Sequence, residues 1–293
     1  MGDSDGKHKH YCMDLRLGSK LINAERCLMQ APLTAEVRSR NRGARVGVLI
    51  TMLDIAASDP VLTAWHPDWT ATLDLSLFGI EILNKGPMVV DTHMLRRGRK
   101  IITVGADIYD GCGVDDFSSL QEMIEHQGTG CNDIRLVAKG LATFIRIPRT
   151  TDIDAIDYNP GKWVGQVRYR SGATQDHRYL NDRIGLRVIA PETGTVELDN
   201  STYVANSIGT INGGVQAVAM EAAAELMHPH MTATDIQIHF ISQVKTGPVR
   251  THCVNIRATS DHCIVNVDLI EVGVHSRLIA KSTITLQSEG AIT

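Results

Sequence analysis

The sequence predicts an α+β fold made of two copies of one unit, each a buried helix followed by antiparallel strands. Three observations carry this. The stretch from Asn206 to Glu225, NSIGTINGGVQAVAMEAAAE, is a glycine turn feeding a helix that is apolar on every side, which marks a helix inside a core. A second copy, GVLITMLDIAASD from Gly47 to Asp59, repeats it, with Gly47 matching Gly214 and Asp54 matching Glu221, both pairs 167 residues apart. The segments after each helix alternate apolar and polar residues with period two, the habit of strands with one buried face.

Composition limits the function classes. With 293 residues, 43% of them hydrophobic, the length prior favours about two domains, each able to bury a core. A net charge of -4 provides no general basic field for nucleic acid, and 4% aromatic residues make base stacking a poor explanation. No apolar run approaches the roughly 18 residues of a membrane span. The first residues, MGDSDGKHKHYCMD, lack the apolar core of a signal peptide, so a cytoplasmic location is expected. Cys12, Cys27, Cys112, Cys131, Cys253 and Cys263 show no CxxC spacing, which argues against a zinc site and for free thiols.

In chain order, residues 1 to 12 read as a disordered polar tail, with His8, Lys9 and His10 solvated. A weak strand pattern from Ile22 to Val37 precedes the first helix, which is expected to stop at Ser58, Asp59 and Pro60, because proline cannot continue helical hydrogen bonding. TATLDLSLF, GPMVVDTHML, RKIITVGADIYD and RLVAKGLATFIRIP follow as strands, with turns at NKGP and RRGR. An insertion at about 111–133 carries a short helical piece, FSSLQEMIEHQ. Residues 149–175 read as a linker between a unit at 13–148 and another at 176–293. The second unit repeats the order, from RIGLRVIAPETGTVEL through the helix to four strands. Asp74 and Asp235, Pro87 and Pro248, and Asp107 and Asp268 are each 161 apart, so these strands align without a gap, while Arg135 and Arg277 are 142 apart across the insertion.

An apolar helix within a curled antiparallel sheet, entered through Asn206, then TINGG, and carrying Glu221, resembles the hotdog-fold thioesterases of the PaaI type. The tandem arrangement resembles their double-hotdog members. The resemblance implies hydrolysis of an acyl-CoA thioester, with water as co-substrate, no metal, and coenzyme A only as part of the substrate. It also implies a site shared between two units: one supplies an asparagine and a helix-start N–H, the other a helix carboxylate and a Ser or Thr on the next strand. By position, Asn206 and Gly213 combine with Asp54 and Thr72, filling every role. The opposite combination of Ser39, Val46, Glu221 and Ala233 loses two or three of them, and Glu221 is expected to be buried and paired or neutral. Asn212 stands where many PaaI-type members have histidine, which leaves the site neutral donors.

The chemistry fits these residue types. Unsatisfied N–H groups at a helix start suit an oxyanion, and Gly213 and Gly214 allow a carbonyl to approach the backbone. Asn206 adds a side-chain donor. Asp54 serves as general base or nucleophile, with apolar surroundings raising its pKa. Arg97 and Arg99, in the turn LRRGRK, read equally as a solvated surface or as contacts for coenzyme A phosphates. A non-catalytic acyl-CoA-binding protein is the main alternative. A hotdog enoyl-CoA hydratase is weaker, since Asp157, Asn159 and Pro160 are followed by Lys162 where that motif needs histidine. Association of exposed sheet edges into homo-oligomers is compatible with the fold.

Overall fold

A computed structural model describes residues 10–126, 134–149, 158–170, 177–273 and 276–288. Two long helices, α2 (Val46–Trp65) and α5 (Gly213–Met227), lie against each other under one antiparallel sheet. In the first half β1 (Gly18–Asn23) and β2 (Arg26–Ala31) precede α2, followed by β3 (Trp69–Gly79), β4 (Met88–Arg97), β5 (Ile101–Asp110) and β6 (Arg135–Ile147). In the second, the short helix α4 (Leu180–Ile184), β8 (Arg187–Ala190) and β9 (Thr195–Leu198) precede α5, followed by β10 (Met231–Phe240), β11 (Val249–Ala258), β12 (His262–Glu271) and β13 (Arg277–Ser288). Together with β7 (Val167–Tyr169) the strands run β7-β1-β2-β4-β5-β6-β3-β10-β13-β12-β11-β9-β8. Each half therefore has the same order mirrored about β3 and β10, which pair from Asp74↔His239 to Leu77↔Ile236. This is the α+β tandem double hotdog expected from the sequence.

The repeat extends to irregular features. Both β3 and β10 carry a bulge, between Thr72 and Asp74 and between Ala233 and Asp235. Asp110 accepts from the N–H groups of Asn84, Lys85 and Gly86, and Glu271 does the same for Lys245, Thr246 and Gly247. Arg135 and Arg277, the pair at offset 142, bind these two carboxylates at 3.0 and 2.6 Å. The bonds hold the carboxyl of Glu271 down to about 2 despite the opposing effect of its burial.

Several expectations are corrected. Helix α2 continues through Pro60 to Trp65. Pro60 has no N–H for the Ala56 carbonyl, and the Thr92 hydroxyl of β4, which donates to Cys27 O at 3.0 Å, shares its hydrogen with that carbonyl at 3.4 Å. Uninterrupted, α2 is long and apolar enough to cross a membrane, contrary to the expectation of no such run, but it is a core helix, largely buried here. The stretch from Ile22 to Val37 holds the end of β1, β2 and a short 3-10 turn. The tail expected to be disordered ends earlier: Tyr11 and Cys12 are buried in α1 (Tyr11–Asp14), and His10 is bonded to Ala205 O. His8 and Lys9 lie outside the described residues. Part of the expected linker is β7, which pairs with β1, while Tyr158 donates to buried Asp59 at 2.8 Å. The insertion holds α3 (Phe117–Glu125), whose Phe117 and Leu120 form a second small core with Leu28 and Val89. Among the described residues, Cys12, Cys27, Cys112, Cys253 and Cys263 are free; Cys131 lies outside them.

The helices run antiparallel, Gly47 against Val218 and Gly214 against Thr51. A methyl group on Gly47 would fall 2.8 Å from Val218 Cα. Where they cross, Arg45 binds fully buried Glu221 through Nε at 2.9 Å and Nη2 at 2.8 Å. The second oxygen of Glu221 accepts the Val46 N–H at 2.8 Å, placing a carboxylate at the positive end of α2. Gly47→Ala should lower stability by about 1–3 kcal/mol, since neither backbone can move away, read as a lower urea midpoint with unchanged slope. Glu221→Leu alone should cost about 3–5 kcal/mol by stranding a buried guanidinium, and adding Arg45→Met should recover most of it.

Candidate active site

A cavity of about 360 Å³ lies where the start of α5 meets the middle of α2. Asp54, Thr72, Asn206, Asn212 and Gly213 all line it, so the structure brings together the combination expected to be competent. Asp54 is half-buried, and the Thr72 hydroxyl donates to its Oδ1 at 2.7 Å. A Cβ placed on Gly213 would lie 3.4 Å from Asp54 Oδ2, so the carboxylate faces the first residue of α5 directly. Burial raises the Asp54 carboxyl to about 6, with the Thr72 bond opposing the shift.

The helix start is prepared for an acceptor. Asn212 is its N-cap and takes the Gly214 N–H at 2.9 Å, so Gly214 is not a free donor. Gly214 does not line the cavity; its role is to let Thr51 approach. The Gly213 N–H comes before the first intrahelical bond and meets no acceptor among the described residues. Asn206 Oδ1 accepts from Ile208 and Thr210 N–H at 3.1 and 3.2 Å, so the amide NH2 is its remaining donor. Cys12 lies beside Asn212, but burial pushes its thiol up to about 12, unsuited to nucleophilic attack.

Glu221, the carboxylate of the opposite combination, is in the Arg45 ion pair and does not line the Asp54 cavity. Arg45 occupies the position matching Asn212, 167 residues away, so a cation stands where the other half has a neutral cap. That match was readable in the sequence, but the ion pair spans 176 positions and nothing local announces it. Gln216 and the aromatic side chains Trp69, Phe144 and Phe240 line the Asp54 cavity and were not anticipated. Gln216 Nε2 donates to Ile211 O at 2.9 Å, while its buried Oε1 has no partner among the described residues. Arg97 and Arg99 are exposed and do not line the cavity; Arg97 donates to Ala64 O at 3.0 Å at the end of α2. Asn159 caps a 3-10 turn at Pro160–Trp163, and Asp157 lies outside the described residues. No group of three or more His, Cys, Asp or Glu side chains suited to a metal occurs among the described residues.

Residues 204–287 match the family model for the acyl-CoA thioesterase N-terminal domain. No curated protein matches the sequence. The fold is similar to the TesB protein of Mycobacterium avium subspecies paratuberculosis, at 8% identity and a TM-score of 0.57, over 94% of this chain and 96% of that one. It is similar to an acyl-ACP thioesterase from Bacteroides thetaiotaomicron, at 10% identity and a TM-score of 0.54, over 89% of this chain and 98% of that one. A hotdog-fold protein from Alicyclobacillus acidocaldarius aligns at 10% identity and a TM-score of 0.52, over 96% of this chain and 98% of that one. The matched segment supports a thioesterase, an enzyme that hydrolyses thioesters, and the solved structures show the hotdog fold.

Proposed function

We propose that the chain hydrolyses an acyl-CoA thioester at one composite site, in the manner of a tandem PaaI-type enzyme with units at 13–148 and 176–293. The observation that carries this is the Asp54 carboxylate, held by Thr72 and directly facing the start of α5 in the wall of a cavity. With the thioester carbonyl at the Gly213 N–H and the Asn206 amide, Asp54 takes a proton from water as the water oxygen attacks the carbonyl carbon. The tetrahedral oxyanion then collapses, breaking the carbon–sulfur bond, and the departing thiolate recovers the proton from Asp54. Direct attack by Asp54 would instead form an anhydride, and heavy oxygen entering Asp54 from labelled water in a single turnover is the mark of that route, with water attacking the Asp54 carbonyl. The Arg97 and Arg99 turn is tied to the end of α2, where Leu62 lines the cavity, which supports a role for these side chains toward coenzyme A phosphates. The reaction as written needs no metal, and a cytoplasmic location is part of this proposal.

Thiol release from acyl-CoA substrates of graded length tests the reading. Asp54→Asn should lower kcat by about 10²–10⁴-fold. Loss of turnover in a folded Glu221→Gln protein, with Asp54→Asn active, would place the site in the other combination. Because ionised Asp54 is the reactive form, kcat/KM should rise with pH through about 6 and level off above it. Thr72→Val removes the bond that lowers the Asp54 pKa, so the rise should move to higher pH.

The same shift makes a stability prediction. The folded-state pKa lies above the ordinary 3.8, so the contribution from Asp54 is full below 3.8 and lost as pH rises through about 6. At neutral pH the ionised group therefore costs stability, and Asp54→Asn should raise it by about 1–3 kcal/mol in urea denaturation while removing activity.

A further inference from the structure

From Val46 to Leu62, helix α2 is buried at every residue except Asp54, Ile55 and Ser58. These three share one face over about one turn, and all of them line the Asp54 cavity. Their repeat counterparts in α5, Glu221, Ala222 and Glu225, are buried, so this opening belongs to the first half alone. Ser58 is thus the polar group that α2 offers the cavity besides Asp54. Its hydroxyl hydrogen is spent within the helix, on Ile55 O at 2.8 Å, which leaves the oxygen with lone pairs for a donor.

With the thioester carbonyl at Gly213 and the coenzyme A phosphates at the Arg97 turn, the chain between them runs along α2 from Asp54 past Ser58 and Leu62 to Ala64, whose carbonyl holds Arg97. Helix from Asp54 to Ala64 rises about 15 Å. The linear part of coenzyme A, from sulfur to its first phosphorus, has about thirteen bonds, the length of roughly four extended residues or about 14 Å. Ser58 lies about 6 Å along this path. The first donor beyond the sulfur is an amide N–H about four bonds from the reacting carbon, or roughly 5 Å. We infer that Ser58 Oγ accepts this amide N–H and so sets the position of the thioester before Asp54, an inference that rests on the thioesterase reading. Thr70, on the facing strand, also lines the cavity and also spends its hydrogen, on Ile145 O at 3.1 Å, but that bond is exposed, where water competes for the oxygen. The Ser58 bond is partly buried, so the oxygen there has fewer competitors for the substrate N–H.

The test compares thiol release from an acyl-CoA and from its analogue in which oxygen replaces that N–H, the amide becoming an ester. The parent should prefer the amide in kcat/KM, and Ser58→Ala should reduce the preference by about 3–10-fold, the worth of one neutral hydrogen bond. Alanine is the better helix former, and turnover of the ester analogue reports that the variant has folded. Ser58→Thr, which keeps the hydroxyl, should keep the preference. A parent without the preference, or a preference unchanged in Ser58→Ala, overturns this inference alone, and its loss in Thr70→Val would then move the contact to the strand. An equal fall on both substrates in Ser58→Ala overturns it in favour of a hold on the attacking water, and loss of the preference in Ser58→Thr as well overturns it in favour of packing. A parent that releases thiol from no acyl-CoA overturns the thioesterase reading too.

Discussion

The antiparallel contact between α2 and α5 is the constraint on which the remaining architecture depends. Gly47 and Gly214 bring the two backbones close enough for the start of each helix to meet the carboxylate of the other. Both helices are apolar on nearly every side, so they must be wrapped by sheet, and the β3–β10 pairing makes that wrapping continuous. Widening the helix contact would separate Asp54 from Gly213 and Glu221 from Val46 together. The two junctions share one mechanical support.

At these junctions the same geometry has two electrostatic outcomes. Glu221 reaches the Val46 N–H and receives Arg45, so its charge is neutralised by a full ion pair and by the helix end. Asp54 is one methylene shorter, meets glycine instead of valine, and has only a threonine hydroxyl. Its charge is under-compensated, which burial turns into a raised pKa. Incomplete solvation is a cost to folding and a resource for chemistry, because a base near the working pH both accepts and returns a proton.

Much of this was legible in the sequence because the two halves preserve register. The offsets of 167, 161 and 142 align helix starts, bulges and the arginines below each carboxylate nest, so positions in one half could be mapped onto the other. Asp54 and Thr72 were found in that way. What was illegible depends on contacts that periodicity does not encode. Pro60 reads as a helix stop, and nothing local announces that the freed Ala56 carbonyl meets the Thr92 hydroxyl of a strand packed on α2. Tyr11 looks like part of a polar tail until its hydroxyl is seen beside Thr51 Oγ1 at 2.9 Å. β7 is too short to announce itself and exists because β1 offers an edge.

Fusion of two units in one chain changes what a single substitution can do. In an assembly of identical subunits, an arginine introduced at a helix start would appear at every junction, and blocking one site would block its partner. Here Arg45 is present once and Asn212 keeps the other position. Joining the halves in one chain thus frees each to be altered alone, and also removes the dependence of the β3–β10 pairing on protein concentration. Covalent linkage makes asymmetry heritable within a pair of like units.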